Sequence, residues 1–193
     1  MVDSVRAVIA AHQARRIEPG QRPLAAVLVP LYEREGRQHI LFTLRTEHVE
    51  HHKGQISFPG GAADPEDPDL EYTALRETYE EIGVRPDDVE VLGRLDDIVT
   101  VTNFLVTPYV GVIHGPAPYP FDHNEHEVAE LLEVPLSHLM EAANVTQESR
   151  LIEGRPSLTY SYRFGEHVIW GATARILKGF LDLLSLATAK GGP

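Results

Sequence analysis

The segment RETYEEIGV at residues 76–84 constrains this chain more than any other stretch of its sequence. Glu80 and Glu81 follow Glu77 by three and four positions, the spacing that brings side chains together on one helix face. Like charges at this spacing cost about 0.2–0.5 kcal/mol per pair on an exposed helix. The face is therefore either a solvated acidic surface or a set of carboxylates that holds a divalent cation.

A helix is predicted over residues 70–83, LEYTALRETYEEIG, around these glutamates. Leu75, Thr78 and Ile82 fall on its other side, so we expect them to pack on the core and the carboxylates to point outward. Gly83 is a natural helix end, because glycine readily adopts the left-handed conformation.

The donor types in the sequence favour a hard cation. The chain has no cysteine, which excludes disulfides, thiolate catalysis and sulfur-ligated metals, and leaves oxygen and imidazole ligands. Mg²⁺ prefers oxygen ligands and takes few carboxylates, and Mn²⁺ suits similar donors. We therefore predict that Glu77, Glu80 and Glu81 bind Mg²⁺ or Mn²⁺, and that Arg76, four residues before Glu80, orients the glutamates.

The remaining pattern predicts an α+β protein. Apolar runs at 22–33 and 38–45 flank the turn REGR and indicate a hairpin. A strand is predicted at 105–113, where Pro108 favours a sheet edge or a bulge. Other predicted elements are a strand at 89–95, a strand and short helix over 127–142, a hairpin at 157–170 turning near Gly165, and an amphipathic helix at 172–189. Neither a repeat nor a linker is visible, so we expect one domain over residues 1–193.

Charge and hydropathy restrict the partners. The chain carries 17 basic and 29 acidic residues, a formal net charge of −12, which argues against a nucleic-acid-binding surface. The sequence has no run of 18 apolar residues, so we expect no membrane span. The N-terminus predicts an amphipathic helix rather than a signal peptide, so we expect a cytoplasmic protein. The sequence leaves the oligomeric state open, a homodimer included.

Residues 76–84 resemble the motif of the Nudix hydrolases, a glycine, five residues, a glutamate, seven residues, then Arg-Glu-apolar-any-Glu-Glu-any-Gly-apolar. Thr78 stands where an aliphatic residue is usual. Gly61 precedes Arg76 by fifteen positions, where the family has fourteen.

The extra residue changes the register of the motif's early acidic position. Pro68 occupies that register when it is counted back from the arginine, and Glu66 or Asp67 could substitute if the loop bulges.

A second motif resembles the coenzyme A pyrophosphatase branch of this family. It lies in LFTLRTEHVEHHKGQISFPGG at 41–61, and IWGATARIL at 169–177 also resembles that branch. The matching residues are Leu41, Thr43, Arg45, Gly54, Phe58, Pro59, Gly60 and Gly61. Glu50 departs from it, since an arginine is usual there.

The resemblance implies a Nudix-type α/β/α sandwich with a mixed β-sheet and a hydrolase of phosphoric anhydrides. Its substrate would be coenzyme A or a derivative, cleaved to 3′,5′-ADP and 4′-phosphopantetheine. The implied catalytic residues are Arg76, Glu77, Glu80 and Glu81, and the implied substrate-binding residues are Arg45, Lys53, Gly54, Phe58, Gly60 and Gly61. Arg45 and Lys53 would meet the 3′-phosphate, although solubility explains either residue equally well.

The sequence leaves alternatives open for the general base and for the substrate. Glu80 is the first choice for the base, and Glu125 or Glu127 in the loop FDHNEHEVAE is the rival. The substrate could instead be ADP-ribose, NADH or another nucleoside diphosphate derivative. A silent nucleotide sensor is less favoured, because all three glutamates are present and no basic helix-turn-helix segment is evident. A plain divalent-cation binder is the weakest alternative.

Overall fold

The computed structural model of the chain describes residues 2–46, 54–116, 118–152 and 155–190. The helices are α1 (Val2–Ala11), α2 (Leu70–Ile82), α3 (Leu136–Met140) and α4 (Gly171–Lys190). The strands are β1 (Leu24–Arg34), β2 (Arg37–Arg45), β3 (Ile56–Ser57), β4 (Gly60–Ala62), β5 (Val89–Arg94), β6 (Ile98–Val99), β7 (Leu105–Ile113), β8 (Val128–Pro135), β9 (Val145–Ile152), β10 (Arg155–Phe164) and β11 (His167–Ile169).

The first eight strands form one mixed sheet. β1 pairs parallel with β7 and antiparallel with β2 and β4, so the apolar run of β1 lies at the centre. β8 covers the other edge of β2, and β5 and β6 pair antiparallel with β7. The predicted hairpin of β1 and β2 is confirmed, and at its open end β1 pairs with β4 and β2 pairs with β3.

Helices cover both faces of this sheet. On one face α2 packs against β1, where Ala74 joins a cluster with Ala26 and Leu28. On the other face α1 and α4 share a large core cluster, to which they contribute Val5 and Phe180. Apolar side chains on one stripe of each helix thus bury both sides of the sheet. The predicted α/β/α sandwich with a mixed sheet is confirmed.

A separate antiparallel sheet of β9, β10 and β11 stands beside α4. The hairpin of β10 and β11 turns at Gly165, as predicted. β9 was not predicted, because its polar sequence VTQESRLI shows no apolar alternation.

Pro108 does not mark a sheet edge, because β7 lies between β1 and the β5–β6 pair. Arg94 pairs with Tyr109 and Ile98 with Val106, so Pro108 stands opposite the break between β5 and β6. Its carbonyl accepts from the amide of Leu95 at 2.8 Å. A proline that lacks an N–H is tolerated at this break, where the ladder of β5 has already ended.

Candidate active site

Helix α2 has well-defined ends. The N-cap residue Asp69 accepts from the amide of Tyr72 at 2.8 Å. At the other end Gly83 adopts φ 72°, and its amide donates to the carbonyl of Tyr79. Both caps satisfy backbone groups that a helix end otherwise leaves unpaired. The last two turns, which carry the glutamates, are therefore held in one orientation.

Arg76 donates hydrogen bonds to three carboxylates, and we call these four residues the Arg76 cluster. Its Nε and Nη2 donate to the two oxygens of Asp67, each at 3.0 Å. Its Nη1 donates to Glu77 at 2.9 Å and to Glu80 at 3.1 Å. The hydrogen bonds from Arg76 hold the pKa of Asp67 well below its usual range, and those bonds raise the pKa of Arg76. Arg76 thus hydrogen-bonds two of the glutamates, and its role in orienting them for the reaction stays a prediction.

Asp67 lies in the segment between Gly61 and Arg76, which is one residue longer than in the family motif, and its carboxylate accepts from Arg76. Counted forward from Gly61, Asp67 is the sixth residue and so occupies the family's early acidic position. Thr73 also donates to Asp67 at 2.8 Å, while Glu66 is exposed. The additional residue of this chain therefore lies after Asp67, between the acidic position and Arg76.

Glu81 lies in a different environment, and we call Glu81 with Arg45 the Glu81 pair. Only 3% of its side chain is exposed. Arg45 donates from Nη1 to Oε1 at 3.2 Å, and the amide of Gly60 donates to Oε2 at 3.2 Å. Burial raises the pKa of Glu81 to about 8, although Arg45 and Gly60 act against the shift.

The prediction that all three glutamates point outward is wrong for Glu81. The sequence shows which residues share a helix face, but it does not show that the Gly60 turn and the end of β2 lie against that face. Glu80 remains 54% exposed, whereas Glu81 faces these two segments.

The glycine pair is required by close approach. Gly60 has φ +148°, and a Cβ there would lie 2.3 Å from the carbonyl oxygen of Ala26. A Cβ on Gly61 would lie 2.4 Å from Oε2 of Glu77. Only glycine avoids both overlaps, so the pair brings the backbone against the helix carboxylates.

The predicted contact of Phe58 with a substrate is contradicted by its position. Phe58 is 2% exposed and stacks on Phe42 with ring centroids 4.8 Å apart. A ring this deeply buried packs on the core and anchors the turn before the glycine pair.

The two other predicted binding residues lie at the start of the segment that leads to this turn. Gly54 is described, and its amide donates to the carbonyl of Arg45 at 3.2 Å. Lys53 lies outside the described residues, as does Glu50.

The loop before β8 brings one further carboxylate to the helix. The amide of Asn124 donates to the carbonyl of Glu81 at 2.9 Å, and its side chain donates to Glu127 at 3.3 Å. The charge of Glu127 contributes to the raised pKa of both Glu77 and Glu81. Glu125 is exposed, so Glu127 is the loop glutamate nearer to the helix charges.

Sequence reasoning did not find Asn124. An asparagine in a polar loop is a typical turn residue, and that was its only signal.

The donor set fits a divalent cation by its chemistry. Glu77 and Glu81 both carry carboxyl groups whose pKa burial raises, so their charged forms would gain from a nearby cation. Carboxylate oxygens are ligands that Mg²⁺ and Mn²⁺ prefer. In the part of the chain that the structure describes, no three His, Asp or Glu side chains are grouped closely enough to hold a metal ion together. Glu77 and Glu80 turn toward Arg76 and Glu81 toward Arg45, so binding of one ion by all three stays a prediction.

Comparison with known proteins agrees with this geometry. The family model described as NUDIX domain matches residues 22–153. The Nudix hydrolase NudL of Enterobacter sp. (strain 638), itself described as uncharacterized, is 38% identical over 157 residues, which cover 81% of this chain and 80% of the relative.

Two solved structures share the fold at 16% identity. RenU, a Nudix hydrolase from M. smegmatis, has a TM-score of 0.55 and covers 89% of each chain. A MutT/nudix family protein from Enterococcus faecalis has a TM-score of 0.56, with coverage of 90% of this chain and 66% of that one. Among the described residues, no helix is long and apolar enough to cross a bilayer.

Proposed function

The chain belongs to the Nudix hydrolases, enzymes that act on phosphoric anhydrides, and from this premise we propose that it cleaves the diphosphate of coenzyme A or a derivative. The products are 3′,5′-ADP and 4′-phosphopantetheine, or its acyl form. Nudix hydrolases generally need divalent metal ions, and we propose Mg²⁺ or Mn²⁺ here.

One observation favours coenzyme A or a derivative over the other candidate substrates. Arg45 and Gly60 come from the two ends of the motif that resembles the coenzyme A branch, and both donate to the same carboxylate, Glu81. Two described residues of the motif that are fifteen positions apart therefore meet at one glutamate of the Nudix helix. This favours a role for the motif at the reaction centre rather than at a remote surface.

We assign the metal ligands to Glu77, Glu80 and Glu81. When bound, a divalent cation offsets the charge of the diphosphate and makes water a stronger nucleophile. Arg76 is assigned a positioning role, because its guanidinium contacts Glu77 and Glu80 and is itself fixed by Asp67. Little covalent chemistry is required of the protein, so position and electrostatics carry the reaction.

The base is proposed to be Glu80, with Glu127 as the alternative. Glu80 is half exposed and can reach water, which a base needs. Glu127 is partly buried and lies near the helix charges. Glu80→Gln and Glu127→Gln separate the two at saturating Mg²⁺, where proton competition for the metal ligands is suppressed and loss of the base removes the acidic limb of the pH–rate profile.

The substrate contacts are assigned to the glycine pair and to two cationic residues. Gly60 and Gly61 are assigned because they lie directly against Glu81 and Glu77, two of the proposed metal ligands. Arg45 and Lys53 are assigned to phosphate groups, including the 3′-phosphate. Replacing Arg45 is then expected to raise KM for coenzyme A more than for 3′-dephospho-coenzyme A.

We also propose that residues 1–193 form one Nudix domain. Helices α1 and α4 lie outside the matched range 22–153, yet Ile9 and Leu177 belong to the same core cluster as Val29. His12 and Ile17, which follow α1, contact Asp96 and Asp97 at 3.0 and 2.9 Å.

A substrate screen tests the assignment. Coenzyme A, acetyl-coenzyme A, 3′-dephospho-coenzyme A, ADP-ribose and NADH are each incubated with Mg²⁺, with Mn²⁺ and with EDTA, and products are separated by chromatography. We expect kcat/KM to be largest for coenzyme A or its acyl form and to vanish in EDTA. A clear preference for ADP-ribose or NADH would contradict the substrate proposal, and full activity in EDTA would contradict the metal proposal.

A further inference from the structure

We propose that Arg45 exchanges partners during the catalytic cycle, binding Glu81 in the metal-free enzyme and a phosphate oxygen of the substrate once a divalent cation holds Glu81. This inference rests on the proposed function and adds to it an order of events and a competition at one carboxylate.

The first observation is that Arg45 has unused donors. A guanidinium has five N–H donors, but within the described ranges that of Arg45 makes one hydrogen bond, to Glu81 at 3.2 Å. Its Nε is buried and has no hydrogen-bond partner. By contrast, every guanidinium nitrogen of Arg76 donates to an acceptor. Arg45 is therefore the one of the two arginines at this site that can accept another anion without first losing a full set of bonds.

The second observation is that both oxygens of Glu81 already have partners. Oε2 accepts from the amide of Gly60, and Oε1 accepts from Arg45. A guanidinium and a divalent cation at the same buried carboxylate would repel each other strongly, because the low local dielectric weakens screening. The two cations are thus alternatives at Oε1.

The third observation concerns which part of Arg45 can move. Its amide donates to the carbonyl of Gln55 at 3.0 Å, and its carbonyl accepts from Gly54 at 3.2 Å, so its backbone is fixed at the end of β2. Its side chain is 23% exposed and reaches the edge of the site. A change of rotamer therefore suffices to carry the guanidinium from Glu81 toward an anion held over the glycine pair.

The exchange has a consequence of opposite sign for two ligands. Without Arg45, Glu81 is left without its competing cation, so metal binding strengthens. The repulsion between Arg45 and a bound cation is proportional to the charge of that cation. Removing Arg45 therefore favours binding of a divalent ion at Glu81 twice as strongly as binding of a proton, so proton competition does not cancel the gain in metal affinity. Without Arg45 the substrate loses a phosphate partner, so substrate binding weakens.

The experiment titrates Mn²⁺ by calorimetry into the full-length wild type, Arg45→Gln and Arg37→Gln in substrate-free buffer. Arg37 is an exposed arginine at the other end of β2, so its variant controls for the change in net charge. We expect Arg45→Gln to bind Mn²⁺ at least fivefold more tightly, and Arg37→Gln to stay within twofold of wild type. KM for coenzyme A at saturating Mg²⁺ is expected to rise at least tenfold in Arg45→Gln alone.

A second variant covers the case in which Arg45→Gln unfolds. Arg45→Lys keeps the positive charge, so we expect Mn²⁺ affinity within twofold of wild type and a raised KM, because lysine lacks the fork of two donors. Equal or weaker Mn²⁺ binding in a folded Arg45→Gln variant would overturn the competition, as would a gain in Arg45→Lys. Tighter Mn²⁺ binding with an unchanged KM would overturn the exchange.

The same measurements distinguish a wrong substrate assignment from a wrong partner exchange. In that case Mn²⁺ binding still tightens in Arg45→Gln, while wild type and all variants alike leave coenzyme A intact.

Discussion

The Arg76 cluster and the Glu81 pair both involve glutamates of α2, and they differ in how completely the guanidinium is hydrogen-bonded and in how deeply the carboxylate is buried. In the cluster the guanidinium uses all its nitrogens, and the pKa of Asp67 is lowered. In the pair the carboxylate is buried with one guanidinium contact, and its pKa is raised to about 8. A group with a lowered carboxyl pKa stabilises the fold, whereas one with a raised pKa costs stability when ionised and retains affinity for a cation.

The largest expected effect is on catalysis at the Glu81 pair. Glu81→Gln keeps the size of the side chain but removes the charge, so we expect kcat to fall by about 10⁴-fold, close to 5 kcal/mol of transition-state stabilisation. Steady-state kinetics with coenzyme A and Mg²⁺ measure this. Glu71→Gln, an exposed change in the first turn of α2, is the matched control and should leave kcat unchanged. Turnover of Glu81→Gln within tenfold of wild type would remove Glu81 from the reaction centre.

The next effect is on the pH dependence of stability in EDTA. Because the folded-state pKa of Glu81 is raised from 4.5 to about 8, its contribution is fully present below 4.5 and is lost as pH rises through 8. Glu81→Gln does not titrate, so its stability relative to wild type should grow across this window by on the order of 4 kcal/mol. Urea unfolding at pH 5, 7 and 9 measures the difference. Parallel curves for the two proteins would show that Glu81 is not destabilised by burial.

Substituting Gly60, which lies beside Glu81, and Gly61, which lies beside Glu77, is expected to have different effects on stability and on activity. Gly60→Ala places a Cβ against the backbone oxygen of Ala26 at φ +148°, so we expect a loss of about 3 kcal/mol in the free energy of unfolding. Gly61→Ala meets only the carboxylate of Glu77, which can move, so we expect a loss below about 1 kcal/mol with a clear fall in kcat. Urea unfolding and kinetics on both variants test this; equal stability losses would contradict it.

The smallest effect is the stability supplied by the Arg76 cluster. Asp67→Asn weakens both bonds from Arg76, so we expect a loss of about 1–2 kcal/mol at pH 7. The pKa of Asp67 is lowered in the folded state, so its contribution is present above the unfolded value of 3.8 and is lost as pH falls below it. The two unfolding curves should therefore converge in acid. Asp64→Asn, whose carboxylate lies 3.7 Å from Arg76 and is exposed, is the control.

Local patterns predicted the elements that hold the site. The predicted helix at 70–83 ends one residue beyond α2, because its apolar spacing and its glycine stop are both encoded within the segment. The same holds for the first hairpin and for the long C-terminal helix, predicted at 172–189 and found at Gly171–Lys190. Periodicity and turn residues act over a few positions, so a sequence reveals them directly.

The features that were wrong or incomplete depend on distant segments. The burial of Glu81 requires the Gly60 turn and the end of β2 to meet the helix, and the burial of Phe58 requires Phe42 to lie beneath it. Pro108 predicted a sheet edge or a bulge, because the break between β5 and β6 opposite it is not visible in its own strand. Each of these depends on which strands become neighbours, and residue spacing alone carries no such information.

The contact of Asp67 with Arg76 across a longer loop has a consequence for how such chains are recognised. A pattern that demands a fixed number of positions between the glycine and the arginine passes over this sequence. The physical requirement is only that some acidic side chain can reach the guanidinium. This contact alone therefore does not fix the length of the loop between Gly61 and Arg76.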